Sequence, residues 1–126
     1  MSDPQLLKGV LPMLVLAVLT EHESYGYELV TRLQDAGLDE MSAGTVYPVL
    51  NRLERDGLVA SRLVASTAGP ARKYYVPTAD GATELARAAE AWERLGRTAS
   101  ALLARARTRP PAPGAAPAPA PAEEAS

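Results

Sequence analysis

The sequence predicts a mainly α fold with one small β-hairpin, and three observations carry that reading. Apolar residues recur at three- and four-residue steps in the stretches before Gly57. Two short strand-like runs then flank a segment rich in Ser, Thr, Gly and Pro. A long stretch from Thr78 returns to helical spacing.

The first helix is expected over the apolar run Val10 to Thr20, starting near Leu7 to Leu11, because Pro12 fits best in a first turn. It is apolar on nearly every side, so one face should meet the domain's own core and another a partner subunit. A second helix is expected from Gly26 to Asp35, with Leu29, Val30 and Leu33 on one face, Ser24 as its cap and Gly37 closing it. The third starts at Ser42, carries Val46, Val49, Leu50 and Leu53 on a stripe, and stops at Gly57, with a distorted first turn at Pro48. Val59 to Val64 and Lys73 to Val76 should pair as a hairpin around the loop Ala65 to Ala71. From Thr78, a good cap, a helix should continue to about Ala106. Its Leu85, Ala89, Trp92, Gly96, Ala99, Leu103 and Ala106 form a heptad seam whose natural cover is a second copy of the chain. The expected parts are a winged helix-turn-helix domain at 1–77, a C-terminal dimerisation helix at 78–107 and a disordered Pro/Ala-rich tail at 108–126.

The chain has 126 residues, a formal charge of −2 and no cysteine, which rules out disulfides, a thiolate nucleophile and a cysteine metal site. Its single histidine, His22, lacks the partners of a catalytic set, and no phosphate-cradling glycine loop or metal-ligand cluster is present. No enzymatic activity, cofactor or metal is expected. The run Val10 to Leu19 falls short of a membrane span and no cleavable leader pattern precedes it, so the expected location is cytoplasmic, with no membrane partner.

Charge is concentrated where the helix-turn-helix and hairpin lie. Between Ser42 and Tyr75, five basic residues (Arg52, Arg55, Arg62, Arg72 and Lys73) stand against Glu54 and Asp56. In such a unit the second helix enters the major groove with its N-terminal residues toward the bases. That end offers Gly44, which has no side chain to hold a duplex away, the hydroxyls of Thr45 and Tyr47, and Asn51, whose amide suits adenine. Arg52 and Arg55 are placed to grip phosphates, and the backbone nitrogens after Ser42 add an anion site. Arg72 and Lys73 on the wing, with Arg62 on the facing strand, complete the basic edge. A plainer reading packs Tyr47 on the domain and pairs Arg52 with Asp56. Trp92, beside Ala88, Ala89 and Gly96, either anchors a subunit interface or walls a cavity for flat apolar molecules. A module that binds protein, or a ligand-binding protein without regulatory output, is the alternative function.

The chain resembles the PadR family of bacterial transcriptional regulators. The resemblance rests on Leu7-Lys8-Gly9, Tyr25-Gly26-Tyr27-Glu28, the stretch Gly44 to Val59 (GTVYPVLNRLERDGLV), Gly69-Pro70-Ala71-Arg72-Lys73-Tyr74-Tyr75 and Thr78-Ala79-Asp80-Gly81. It implies a winged-helix domain, a homodimer joined through the C-terminal helix, and repression relieved by a small molecule. The short C-terminal region is similar to the compact PadR-like subfamily, some members of which bind flat aromatic drugs between paired tryptophans at the dimer interface, and Trp92 resembles those in its place along the helix. The expected partner is a palindromic double-stranded operator with half-sites about one turn, ~34 Å, apart. An effector near Trp92 would change the angle between the two wings.

Overall fold

A computed structural model describes residues 3–113. Its elements in chain order are α1 (Pro4–Glu21), β1 (Ser24–Tyr25), α2 (Gly26–Asp35), α3 (Ala43–Arg55), β2 (Val59–Ser66), β3 (Gly69–Pro77) and α4 (Ala79–Thr108).

Helix α1 begins earlier than the sequence suggests. The Asp3 carboxylate accepts from the Gln5 and Leu6 amides at 2.9 and 3.4 Å, and Pro4 occupies the first turn. Pro12 therefore lies inside the helix, where it leaves the Lys8 carbonyl without its usual intrahelical donor. At eighteen residues and a mean hydropathy of 1.3, α1 is long and apolar enough by composition to cross a membrane, unlike the ten-residue run read from the sequence. Here its Leu11, Val15, Leu16 and Leu19 enter the core.

Those four pack with Leu29, Val30 and Leu33 of α2, Val46, Leu50 and Leu53 of α3, and Met41, Val59 and Tyr75. Helices α2 and α3 end alike. Gly37 (φ +118°) and Gly57 (φ +78°) each sit just past the helix in the left-handed region. Leu38 and Leu58 donate their amides back to the Leu33 and Leu53 carbonyls at 3.1 and 2.9 Å, closing two Schellman motifs. Helix α3 continues unbroken through Pro48.

The hairpin is one part of a three-stranded antiparallel sheet in the order β1-β3-β2. Ser24 pairs with Tyr75 and Tyr25 with Tyr74, so Ser24 is a buried strand residue and not the cap of α2. Its hydroxyl accepts from Arg32 at 2.7 Å. Arg32 also reaches the Val18 carbonyl (2.9 Å), the His22 carbonyl (3.0 Å) and Glu21 (2.9 Å), fastening the end of α1, β1 and α2 together. The wing strands are longer than expected, and the turn shrinks to Thr67 and Ala68. Pro70 is tolerated because β1 pairs only with Tyr74 and Tyr75, leaving one side of β3 open at the tip.

Helix α4, thirty residues long, is rooted in the end of α3. Thr78 caps it, accepting from the Gly81 amide at 3.0 Å while its hydroxyl donates to the Gly57 carbonyl at 2.7 Å. The Thr78 amide donates to the Leu58 carbonyl at 3.0 Å. Gly81 is buried there; a methyl group on it would lie 2.0 Å from the Leu58 oxygen. One compact unit runs through Trp92, and a second begins at Glu93 within the same helix. Most of the expected tail, from residue 114, lies outside the described residues.

Candidate nucleic-acid interface

Burial of Val46, Leu50 and Leu53 turns the remaining face of α3 outward. Ser42, Gly44, Thr45, Tyr47, Asn51, Arg52 and Arg55 are all exposed. Ser42 stands at the N-cap position without a capping side-chain bond; its hydroxyl is 3.4 Å from that of Thr45. The fold leaves room for a side chain at Gly44, whose nearest neighbour would be Ser42 Oγ at 3.9 Å. Tyr47 serves both readings of it. Its ring seats on Gly26, where a methyl group would come within 2.7 Å of the ring carbons and hydroxyl, yet 45% of the residue remains accessible. Gly26, in the Tyr-Gly-Tyr segment, is thus a packing requirement that the sequence reading did not identify.

Arg52 does not pair with Asp56; Arg55 does so loosely, at 3.7 Å. Arg52 and Lys8 instead flank a groove of about 480 Å³ between the starts of α1 and α3, with Gly44, Thr45 and Pro48 in its wall. Lys8 is an exposed cation beside α3 that lies outside the basic stretch Ser42 to Tyr75.

On the wing, strand alternation sends the basic residues to opposite faces. Arg62 lies opposite Tyr74, and Arg72 opposite Val64, on the outer face. There Arg72 stacks over the Tyr25 ring at 4.4 Å, and Tyr25 meets Tyr74 edge-on at 5.3 Å. Arg62 is held by both carboxylate oxygens of Glu23, through Nη2 to Oε2 and through Nε to Oε1 at 3.2 Å, which pushes its pKa up. Lys73 faces inward with Tyr75 and donates to Glu54 Oε1 at 3.0 Å. Ser61 donates to Glu54 Oε2 at 2.6 Å. The Ser61 hydrogen bond first, then Lys73, hold the Glu54 carboxyl below its ordinary pKa, and Glu54 raises that of Lys73. Two wing cations expected to be free therefore have carboxylate partners.

The residues grouped around Trp92 do not line one site. Trp92 is half-exposed and borders an apolar concavity of about 260 Å³ walled by Leu6, Val10, Met13, Leu14 and Leu38. Ala88 lines a different cavity, of about 140 Å³, with Leu16, Val49 and Leu53. Ala89 is half-buried, and Gly96 has open space where a side chain would be. The α1 wall of the Trp92 concavity leaves no signal in the spacing along α4. His22 sets Nδ1 2.8 Å from the Glu23 carbonyl, a local bond at the end of α1. Among the described residues no group of three His, Cys, Asp or Glu side chains could hold a metal ion.

Residues 15–87 match the family described as transcriptional regulator PadR-like. The fold is similar to a PadR-like transcriptional regulator of Bacillus cereus, with a TM-score of 0.72 and 39% identity over 79% of this chain and 96% of that one. A PadR family transcriptional regulator of Eggerthella lenta gives the same score and identity over 79% and 86% of the two chains. A Streptococcus transcriptional regulator gives 0.71 and 36% over 79% and 98%. An uncharacterised protein of Lysinibacillus sphaericus is 26% identical over 94 residues, 73% of this chain and 86% of its own length.

Proposed function

Because the chain belongs to the PadR-like family of DNA-binding transcriptional regulators, which are not enzymes, we propose that it acts as a homodimeric repressor of a nearby gene. The observation that carries the reading is the outward face of α3. Gly44, Thr45, Asn51 and Arg52 lie together there, exposed, and nothing inside the fold demands a glycine at 44. An external surface that approaches the backbone closely accounts for Gly44, and base edges account for Thr45, Tyr47 and Asn51. Arg52, Arg55 and, from the wing, Arg72 supply phosphate contacts, with the α3 amides after Ser42 as a further anion site. Arg62 and Lys73 stand at the same edge but act through the carboxylates that hold them.

Dimerisation is supported by the apolar side chains that α4 leaves uncovered: Trp92, Leu95, Leu102 and Leu103 are all at least half exposed. Full burial of such a side chain contributes about 1.5–3 kcal/mol and these are about half exposed, so covering each contributes about half of that, and four per subunit favour a second copy as the cover. Two-fold pairing presents two α3 helices to successive major grooves and so requires a palindromic operator with half-sites ~34 Å apart. The concavity beside Trp92 suits a flat apolar effector that favours one spacing of the wings over the other. The test is a mobility shift with DNA from upstream of the protein's own gene, together with sedimentation at micromolar concentration. A specific complex of two chains per duplex is expected; a monomer that shifts no promoter fragment refutes the proposal.

A further inference from the structure

We infer that Glu54 is a positioning residue for DNA recognition: from α3 it fixes both wing strands and holds Lys73 away from the phosphates. The inference rests on the duplex engagement proposed above and adds to it a residue that no base or phosphate touches.

Glu54 lies one turn beyond Leu50 on α3, next to the buried Leu53, and points at the inner face of the sheet. Its two oxygens have separate tasks. Oε2 takes the Ser61 hydroxyl of β2 and Oε1 takes the Lys73 ammonium of β3. Ser61 and Lys73 belong to alternate pairs of the ladder on the same face, Ser61 with Tyr75 and Lys73 with Leu63. One carboxylate therefore spans the hairpin. Among the described residues these are the side-chain hydrogen bonds that join α3 to the wing. The Lys73 ammonium is held further by the Tyr75 ring, 5.4 Å from its centroid, and Tyr75 itself is anchored in the core.

Stability alone is a poor reason for this arrangement. The two side chains are 33% and 46% accessible, and an ion pair so exposed contributes about 0–1 kcal/mol. Its effect on charge and geometry is larger. An unpaired carboxylate on a DNA-reading helix would repel phosphate, and an unpaired lysine on the wing would bind any duplex regardless of sequence. Pairing them removes both effects and sets the angle between helix and wing. Glu23 does the same for Arg62 on the outer face, so among the described residues Arg72 is the wing cation without a carboxylate partner.

The test measures how affinity falls with salt, for an operator duplex and for a random duplex of equal length. Glu54→Gln should steepen the dependence by about one ion per subunit as Lys73 is released, and narrow the operator-to-random ratio several-fold. Adding Lys73→Met should restore the wild-type salt dependence but not the ratio. Wild-type slope and ratio in a folded Glu54→Gln dimer overturn the inference. Lys73→Met alone provides a second check should Glu54→Gln fold poorly: an unchanged slope supports the clamp, and a slope flattened by about one refutes it. A wild-type protein that binds no duplex sinks the repressor reading instead. The clamp would then be read from the Glu54 carboxyl titration by NMR, which Lys73→Met should move upward and which an unmoved midpoint would refute.

Discussion

Replacing Gly81 by alanine tests how the C-terminal helix is tied to the reading domain. The added methyl group would sit 2.0 Å from the Leu58 carbonyl oxygen and 3.0 Å from its carbon, both backbone atoms that cannot swing aside. The only relief is to part α4 from the turn after α3. Doing so strains the Thr78 amide bond to that same oxygen (3.0 Å) and the Thr78 hydroxyl bond to Gly57 (2.7 Å). Overpacking costs about 1–3 kcal/mol and each weakened hydrogen bond about 1, while alanine returns about 1 kcal/mol of helix propensity. The net loss is about 2–4 kcal/mol, which for a domain of this size lowers Tm by about 10–30 °C. Far-ultraviolet circular dichroism during heating measures it, at one fixed protein concentration because the proposed dimer makes Tm depend on concentration. Gly9→Ala is the control: α1 leaves open space at Gly9, so that variant should gain up to about 1 kcal/mol. A Gly81→Ala protein that melts at or above wild type would show the close approach to Leu58 to be wrong.

Arg72→Ala should weaken binding to every duplex alike and flatten the salt dependence by about one ion per lost phosphate contact; an unaltered slope removes Arg72 from the DNA surface. Asn51→Ala should relax preference at one operator position by about 1–3 kcal/mol, read by selection from randomised duplexes, and a fully retained preference excludes base contact. Glu54 has its pKa lowered on folding, so its stabilising effect is present above the ordinary carboxylate range and is lost as pH falls through the depressed folded value. Protection factors of the wing amides, taken relative to the intrinsic exchange rate at each pH, should accordingly fall in acid, and factors unchanged throughout would contradict this. Planar apolar compounds should quench the fluorescence of Trp92, the sole tryptophan; a varied panel without response leaves the residue to packing alone.

Local signals were legible wherever one residue decides the backbone. Gly37 and Gly57 mark the ends of α2 and α3 because only a residue without a side chain enters the left-handed region without strain. The outward face of α3 follows from Val46, Leu50 and Leu53 by helical spacing alone. The start of α1 was misplaced although Asp3-Pro4 is itself a helix-start signal; Pro12 claimed the same role, and interior proline proved tolerable in a helix held by its packed face. Strand β1 is invisible because two residues have no period, and Ser24, a good cap in isolation, is claimed by a strand partner far along the chain, Tyr75. The same limit hid the wing's ion pairs: Glu23 and Arg62 are 39 residues apart, Glu54 and Lys73 19. Spacing along a chain carries no information about such contacts, so charge counting took both cations as available. Arg52, which the plainer reading pairs with Asp56 one turn on, is the converse case, since proximity in sequence does not produce that pair.

Arg32 joins the foot of the sheet to the helices behind it, while the far end of the hairpin has neither a third strand nor a buried anchor. Foundation and fingertip are thereby decoupled. Substitutions near Thr67 and Ala68 alter what the appendage touches without loosening its attachment, whereas a change at Ser24 or Arg32 unseats the whole arm. The outer end can therefore change its chemistry while one guanidinium keeps the inner end in place.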